Sequence, residues 1–228
     1  MRSWAADWSR SLGEFFFPIA QCAACGRHSL DILCPPCLSA RPKEAPSCPR
    51  CAELLDADGC PVCAVEEMPL DATWALGRHD GSWARVARRF KYDAPWLAPL
   101  LADLAAKRLE GEDFTMVEAV PMWPSRRMER GYNPPALLAG ELAKRRGWPF
   151  RGRLLRTRPT QPQVGLSRKE RMANLSGAFT CAAGPELEGA HVLLVDDVMT
   201  TGSTIRACAN TLRRKGVASI AVLVVARD

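Results

Sequence analysis

Eight of the chain's ten cysteines fall into four CxxC pairs in one short stretch: Cys22/Cys25, Cys34/Cys37, Cys48/Cys51 and Cys60/Cys63, written CAAC, CPPC, CPRC and CPVC. A CxxC turns two thiolates toward one ion, and two such pairs complete the four sulfurs of a closed tetrahedral zinc site. The spacers GRHSLDIL and AELLDADG are equal in length, so a duplicated unit is expected, with one zinc on Cys22, Cys25, Cys34 and Cys37 and a second on Cys48, Cys51, Cys60 and Cys63. Spacing alone also allows an interleaved pairing. Apolar residues are sparse here, so metal must hold the stretch together, structural zinc being worth on the order of 10 kcal/mol or more. A closed four-sulfur site leaves no position for a substrate, which makes both ions structural.

The remaining cysteines, Cys181 and Cys208, lie far away in apolar surroundings, and Cys208 shares a helical stripe with Ile205, Ala209 and Leu212, the pattern of a core residue. With 228 residues, 47% of them hydrophobic, the chain can build one full domain beside the cysteine module. No apolar run reaches the roughly 20 residues of a membrane span. The start has Trp4, Trp8, Leu12, Phe15 and Phe16 at helical spacing and lacks the layout of an export signal. A short packed amphipathic helix and a soluble, cytoplasmic protein are therefore expected.

Charge is unevenly placed. Residues 1–66 carry 6 basic and 8 acidic side chains, and residues 67–228 carry 25 and 17. Zinc bound by thiolates makes the first part more negative still, so an anionic partner belongs to the second part. The punctuation in AVEEMPLD divides residues 1–66, an N-terminal helix plus double zinc module, from a domain at 67–228.

In that domain ATWALGRH reads as a strand and GSWARVARRFKY as a helix. PWLAPLLADLAAKRLEG reads as a second helix closing at Gly111, and TMVEAVPM as a strand. NPPALLAGELAKRRG has Asn133 as cap, Pro134 in the first turn and Gly147 past the end. A weak strand at Leu154, a helical run in LSRKERMANL, the strand HVLLVDD, the helix TGSTIRACANTLRRKG and the strand VASIAVLVVARD follow. Alternating strands and helices predict a mostly parallel sheet covered on both faces, with ligands beyond the carboxyl ends of the strands.

At that place stands HVLLVDDVMTTGSTI, residues 191–205. An apolar strand ends in Asp196 and Asp197, and a turn rich in hydroxyls runs directly into a helix whose first N–H groups have no internal partner. Those amides and the positive end of the helix dipole suit a phosphate. Gly202 allows close approach, and Thr200, Thr201, Ser203 and Thr204 add hydroxyls. Adjacent acids suit ribose hydroxyls or a bridging Mg²⁺. Together they describe a ribose 5-phosphate site; GxxxxGK[ST] and GxGxxG are both absent.

VLLVDDVMTTGST resembles the phosphoribosyl-pyrophosphate motif of type I phosphoribosyltransferases. The double CxxC module, RRFKY, VPMWPSRRMERGYN and RTRPTQPQVGLSRKERMANLSGAF are similar to the ComF family of competence proteins (ComFC or GntX-like) in that superfamily. The resemblance implies an α/β fold of the type I phosphoribosyltransferase kind, a parallel sheet flanked by helices, with a small N-terminal zinc-ribbon module of four-cysteine sites. It also implies phosphoribosyl pyrophosphate with Mg²⁺ as ligand, and a link to DNA uptake in natural transformation through single-stranded DNA and competence helicase machinery. Asp196 and Asp197 with Arg126 and Arg130 become the catalytic candidates, and residues 200–204, Arg127 and Lys91 the substrate contacts. Phosphoribosyl transfer expels pyrophosphate through an oxocarbenium-like transition state, so charge stabilisation is required and a protein nucleophile is not. The scarcity of histidine, with only His28, His79 and His191, fits that chemistry.

The run KRRGWPFRGRLLRTRP collects Lys144, Arg145, Arg146, Arg151, Arg153, Arg156 and Arg158 with Trp148 and Phe150 among them. Interleaved bases and aromatics suit single-stranded nucleic acid; a helix end and a solvated loop account for Lys144 to Arg146 equally well. TQPQVGLSRKERMANL has the polarity of a lid or acceptor loop, with Thr160, Gln161, Gln163, Arg168, Arg171 and Asn174 as candidates. Two function classes remain: a Mg²⁺-dependent phosphoribosyltransferase of unknown acceptor, and a non-catalytic protein that senses the ligand or grips single-stranded DNA.

Overall fold

The computed structural model describes residues 21–40, 46–65, 68–160, 170 and 174–228. The expected N-terminal helix, and Gln161, Gln163, Arg168 and Arg171 of the expected lid, lie outside the described residues.

After a one-turn helix α1 (Pro35–Ser39) come β1 (Ala72–Arg78), α2 (Gly81–Tyr92), α3 (Ala98–Arg108), β2 (Met116–Ala119), α4 (Pro124–Arg130) and α5 (Pro134–Arg146). The chain continues through β3 (Leu154–Arg156), β4 (Phe179–Cys181), β5 (His191–Met199), α6 (Ser203–Arg213) and β6 (Ser219–Arg227). Four strands form one sheet in the order β1-β6-β5-β2, and β3 and β4 form a separate antiparallel pair. Every neighbouring pair of the large sheet is parallel, which buries both faces and accounts for the unbroken apolar runs in β5 and β6.

Side chains of successive strand residues divide between two cores. Leu193, Val195, Leu223 and Val225 face α2, α3 and α5. Val192, Leu194, Val222 and Val224 face α6 and the β3–β4 pair. The cysteine module is part of both layers. Cys22, Cys34 and Cys37 join the first core, and Cys48 and Cys51 the second. The module thus straddles the edge of the sheet at β1, one knuckle on each face.

Two elements differ from the sequence expectation. The helix over PWLAPLLADLAAKRLEG is a 3-10 turn at Pro95–Leu97 followed by α3, and its cap is Leu109, two residues before Gly111; burial of Leu109 turns the chain inward there. SRRMER, to which the sequence assigned no element, is the helix α4, opened by Pro124 and closed by Gly131 in the left-handed region. Asn133 precedes α5 as expected, but its side chain makes no cap bond and donates to the Val120 carbonyl at 3.2 Å.

Candidate functional site

β5 runs two residues beyond the acid pair, Asp196 pairing with Val224 and Met199 with Arg227. The strand backbone therefore holds both carboxylates rigidly at the carboxyl end of the sheet, beside a cavity of ≈ 510 Å³. Asp196, Asp197, residues 200–204, Lys91, Arg126, Arg130, Asn133 and Arg156 all line it.

Both aspartates are buried, each 7% exposed. The Asp197 amide donates to Asp196 Oδ1 and the Val198 amide to Asp197 Oδ1, each at 2.8 Å, which fixes the two carboxylates. Burial, reinforced by the charge of Asp197, pushes the Asp196 carboxyl well above the usual carboxylate range. Lys91 Nζ stands 3.2 Å from Asp197 Oδ2. Burial works to lower the Lys91 ammonium, but the charges of Asp197 and Asp196 outweigh it and raise its pKa. The pair is thus short of positive charge, a state that a divalent cation would relieve.

Behind the acids the turn reaches Gly202, whose φ of 73° lies in the left-handed region at the cap of α6. A Cβ there would meet the methyls of Met199 and Met68 at 2.8 Å, flexible tips that can shift, so it is the left-handed backbone that calls for glycine. Thr201 Oγ1 and Ser203 Oγ lie 2.9 Å apart at the mouth of the helix.

The opposite wall is basic. Arg126 and Arg130 stand one turn apart on α4, and Arg130 lies over the Tyr92 ring at 4.8 Å. Arg127, expected alongside them, is exposed and does not line the cavity. Arg156 enters from β3, hydrogen-bonds Thr160 Oγ1 and covers the Phe179 ring. Burial, then the neighbouring Arg126 charge, lowers its pKa, and its Nε is buried without a hydrogen-bond partner. A guanidinium with an unpartnered buried Nε and a second positive charge nearby calls for an anion.

The basic run, open in the sequence between a stacking surface and a solvated helix end, has several of its groups engaged within the domain. Trp148 is only 7% exposed, its Nε1 bonded to Asp113 Oδ1 at 2.8 Å and one face covered by Arg146. Arg145 is paired with Asp103 and Glu141, Arg153 with Glu186, and Arg158 binds the carbonyls of Asn174 and Ser176. Arg151 and Phe150 stay exposed. Buried Glu118 accepts the Arg153 and Leu154 amides and hooks β3 to β2.

The eight module thiols gather sequentially into two groups, Cys22/Cys25/Cys34/Cys37 and Cys48/Cys51/Cys60/Cys63. Sγ separations of 3.8 Å (Cys25–Cys34), 3.9 Å (Cys48–Cys63) and 3.4 Å (Cys51–Cys60) surround the spacing of about 3.8 Å that a tetrahedral Zn–S bond of about 2.3 Å requires. Arg27 Nε donates to Cys25 Sγ at 3.4 Å and holds that thiol down to about 6, whereas burial pushes Cys51 up. The first group is tied to α2 by Ser82 Oγ on Cys37 Sγ and Arg89 on the Ala23 carbonyl. The second is tied to the sheet by Thr73, whose amide and hydroxyl donate to the carbonyls of Pro49 and Arg50. Arg227, which no sequence pattern singles out, joins this second group to the turn after β5.

The phosphoribosyl transferase domain family matches residues 136–228. Competence protein F of Haemophilus influenzae is 34% identical over 81% of this chain and 86% of its own length. The DNA utilization protein YhgH of Salmonella typhimurium is 30% identical over 90% and 89%. A solved adenine phosphoribosyltransferase from Thermoanaerobacter pseudethanolicus aligns with a TM-score of 0.38 and 21% identity over 60% of this chain and 82% of that one.

Proposed function

The chain belongs to the family of competence protein F and the DNA utilization proteins, with a phosphoribosyltransferase-type domain, and on that premise we propose that it binds phosphoribosyl pyrophosphate with Mg²⁺ and transfers the phosphoribosyl group. The single observation that carries the reading is the buried Asp196/Asp197 pair set directly before an open amide turn. The 5-phosphate sits on the amides and hydroxyls of residues 200–204, and the ribose hydroxyls face Asp196 and Asp197. Arg126, Arg130 and Arg156 take the pyrophosphate, and Lys91 balances Asp197 until the ligand arrives. Asp196 and Asp197 would hold Mg²⁺, which would supply charge neutralisation on the departing pyrophosphate. The side chains themselves orient the ribose and hold the leaving group, so stabilisation is supplied where charge develops. Two structural zinc ions in the cysteine groups make residues 1–66 a scaffold for the domain at 67–228, and free thiolates of this kind suit the cytoplasm.

Calorimetric titration with Mg²⁺ and phosphoribosyl pyrophosphate tests this reading. Heat and protection of residues 200–204 are expected, and the lack of both rejects it. A second reading keeps the pocket and removes the turnover: the relatives are named for competence and DNA utilization, which fits a ligand sensor acting with single-stranded DNA and helicase machinery. Pyrophosphate release with a panel of acceptors separates the two.

A further inference from the structure

We infer that Arg227 is a positioning residue for the phosphate-binding turn, and that it ties the shape of that turn to the state of the second cysteine group. Its side chain is 2% exposed, and no other arginine is among the largest fully buried side chains of the described residues. Burying a guanidinium is costly unless every donor is used, and here the donors divide between two regions. On one side Nε donates to the Cys51 carbonyl at 3.1 Å and Nη2 to Glu53 Oε2 at 2.6 Å. On the other Nη1 shares its two hydrogens among the carbonyls of Thr200 at 2.6 Å, Met199 at 3.2 Å and its chain neighbour Asp228. Cys51 is a metal-ligand candidate, and Glu53 lies two residues further on; Thr200 opens the turn.

In a trans peptide the carbonyl and the following N–H point in opposite directions, and no peptide bond here is cis. Holding the carbonyls of Met199 and Thr200 against the guanidinium therefore turns the amides of Thr200 and Thr201 away from it. These residues line the cavity. A planar fork can hold both carbonyls and both module acceptors together; an ammonium cannot. An ion on Cys48, Cys51, Cys60 and Cys63 fixes the Cys51 carbonyl and, through it, Arg227. Loss of that ion frees one side of the fork, and the turn loses its backing. Among the described residues the first cysteine group is tied to α2 and has no hydrogen bond to the turn.

Amide hydrogen exchange on the full, zinc-supplied chain, with no ligand added, reads the turn directly. Arg227→Lys keeps the charge and loses the fork, Glu53→Gln keeps the size and loses the ionic partner, and Cys63→Ser opens the second cysteine group without touching Arg227. Each is expected to speed exchange at residues 199–204 by about tenfold or more while the β5 core amides at 192–195 keep their protection. Arg213→Lys is the matched control: Arg213 bridges Asp71 and the Val217 and Ala218 carbonyls at the other end of β6, and the turn should keep its original rate. Unchanged exchange at 199–204 in both Glu53→Gln and Cys63→Ser overturns the inference, as does an equal rise across β5, which reduces Arg227 to a general strut. If Arg227→Lys fails to fold, the other two variants decide. The inference rests on the phosphate-site reading, so phosphoribosyl pyrophosphate is titrated in parallel. Failure of the unmutated chain to bind it, with the exchange contrast intact, rejects the proposed function and leaves the role of Arg227 standing.

Discussion

The cysteine module and the pocket at the end of β5 both concentrate acidic groups, and they treat them in opposite ways. In the module eight thiols form two four-sulfur groups, each packed on a different core layer. In the pocket two carboxylates are buried side by side, with one lysine for partner and a cavity in front of them. The module's arrangement is complete once a metal is bound. The pocket's arrangement lowers stability as it stands, and a local conflict that folding does not need marks a functional site.

Metal removal breaks the comparison most severely. A strong chelator, or Cys22→Ser combined with Cys51→Ser, should unfold residues 21–65 and expose both cores where the knuckles pack, with a cost on the order of 10 kcal/mol per ion lost. Metal analysis should give two zinc ions per chain before treatment, one for each group. A chain stripped of metal that melts at its original temperature would contradict a metal-built module.

Replacing the acids acts with the opposite sign. Because the folded-state pKa of Asp196 is raised, its stabilising contribution is present below the unfolded value of about 3.9 and lost as pH rises through the folded value. At neutral pH the burial of this carboxyl therefore costs stability. Asp196→Asn should raise the melting temperature at pH 7, by roughly 2–4 °C for each kcal/mol recovered, with the gain shrinking at low pH. The same variant, and more strongly the double variant with Asp197→Asn, should weaken phosphoribosyl pyrophosphate binding by about a hundredfold or more, as expected for loss of charge-assisted contacts. Affinity of the unmutated chain should rise with pH through the raised Asp196 value. A pH-independent affinity, or a double variant that binds normally, breaks the contrast.

Gly202→Ala sharpens it from the steric side. The residue would need a left-handed φ, a cost of about 1–2 kcal/mol combined with a displaced amide cup, while the Met199 and Met68 methyls can move aside. Reduced ligand affinity with β1–β6 protection intact is the expected result.

Both regions were legible in the sequence for the same reason: each carries its chemistry in consecutive residues. Equal spacers favoured the sequential pairing of the cysteines while leaving an interleaved one open, and acids followed by hydroxyls after an apolar strand announced the pocket. What escaped depends on contacts made far along the chain. Arg227 ends a strand like any other polar residue, and its partners Cys51 and Glu53 lie 176 and 174 positions away. Arg156 belonged by composition to a basic surface, but sequence reports charge and not the direction a side chain takes from a three-residue strand. Trp148 was drawn into the same surface, although it packs edge-on to Phe114 at 5.1 Å. The helix α4 was within reach: Pro124 and Gly131 are start and stop signals, masked by the shortness of the segment.

The smallest expected effect concerns that helix. Three arginines share seven residues, and nothing in their order along the chain separates them. Helical geometry does, since Arg126 and Arg130 are one turn apart and both line the cavity, whereas Arg127 does not. Arg126→Ala and Arg130→Ala should each reduce pyrophosphate-dependent affinity by about 10–100-fold, the worth of a charged hydrogen bond. Arg127→Ala should change it by less than about twofold, as a solvated surface charge does. Raising the salt concentration should narrow the gap only slightly, because the cavity-lining pair is screened less than a surface charge. Equal losses at all three positions would mean that the wall acts through its overall field, and the cavity would then be a basic patch with no defined place for the departing group.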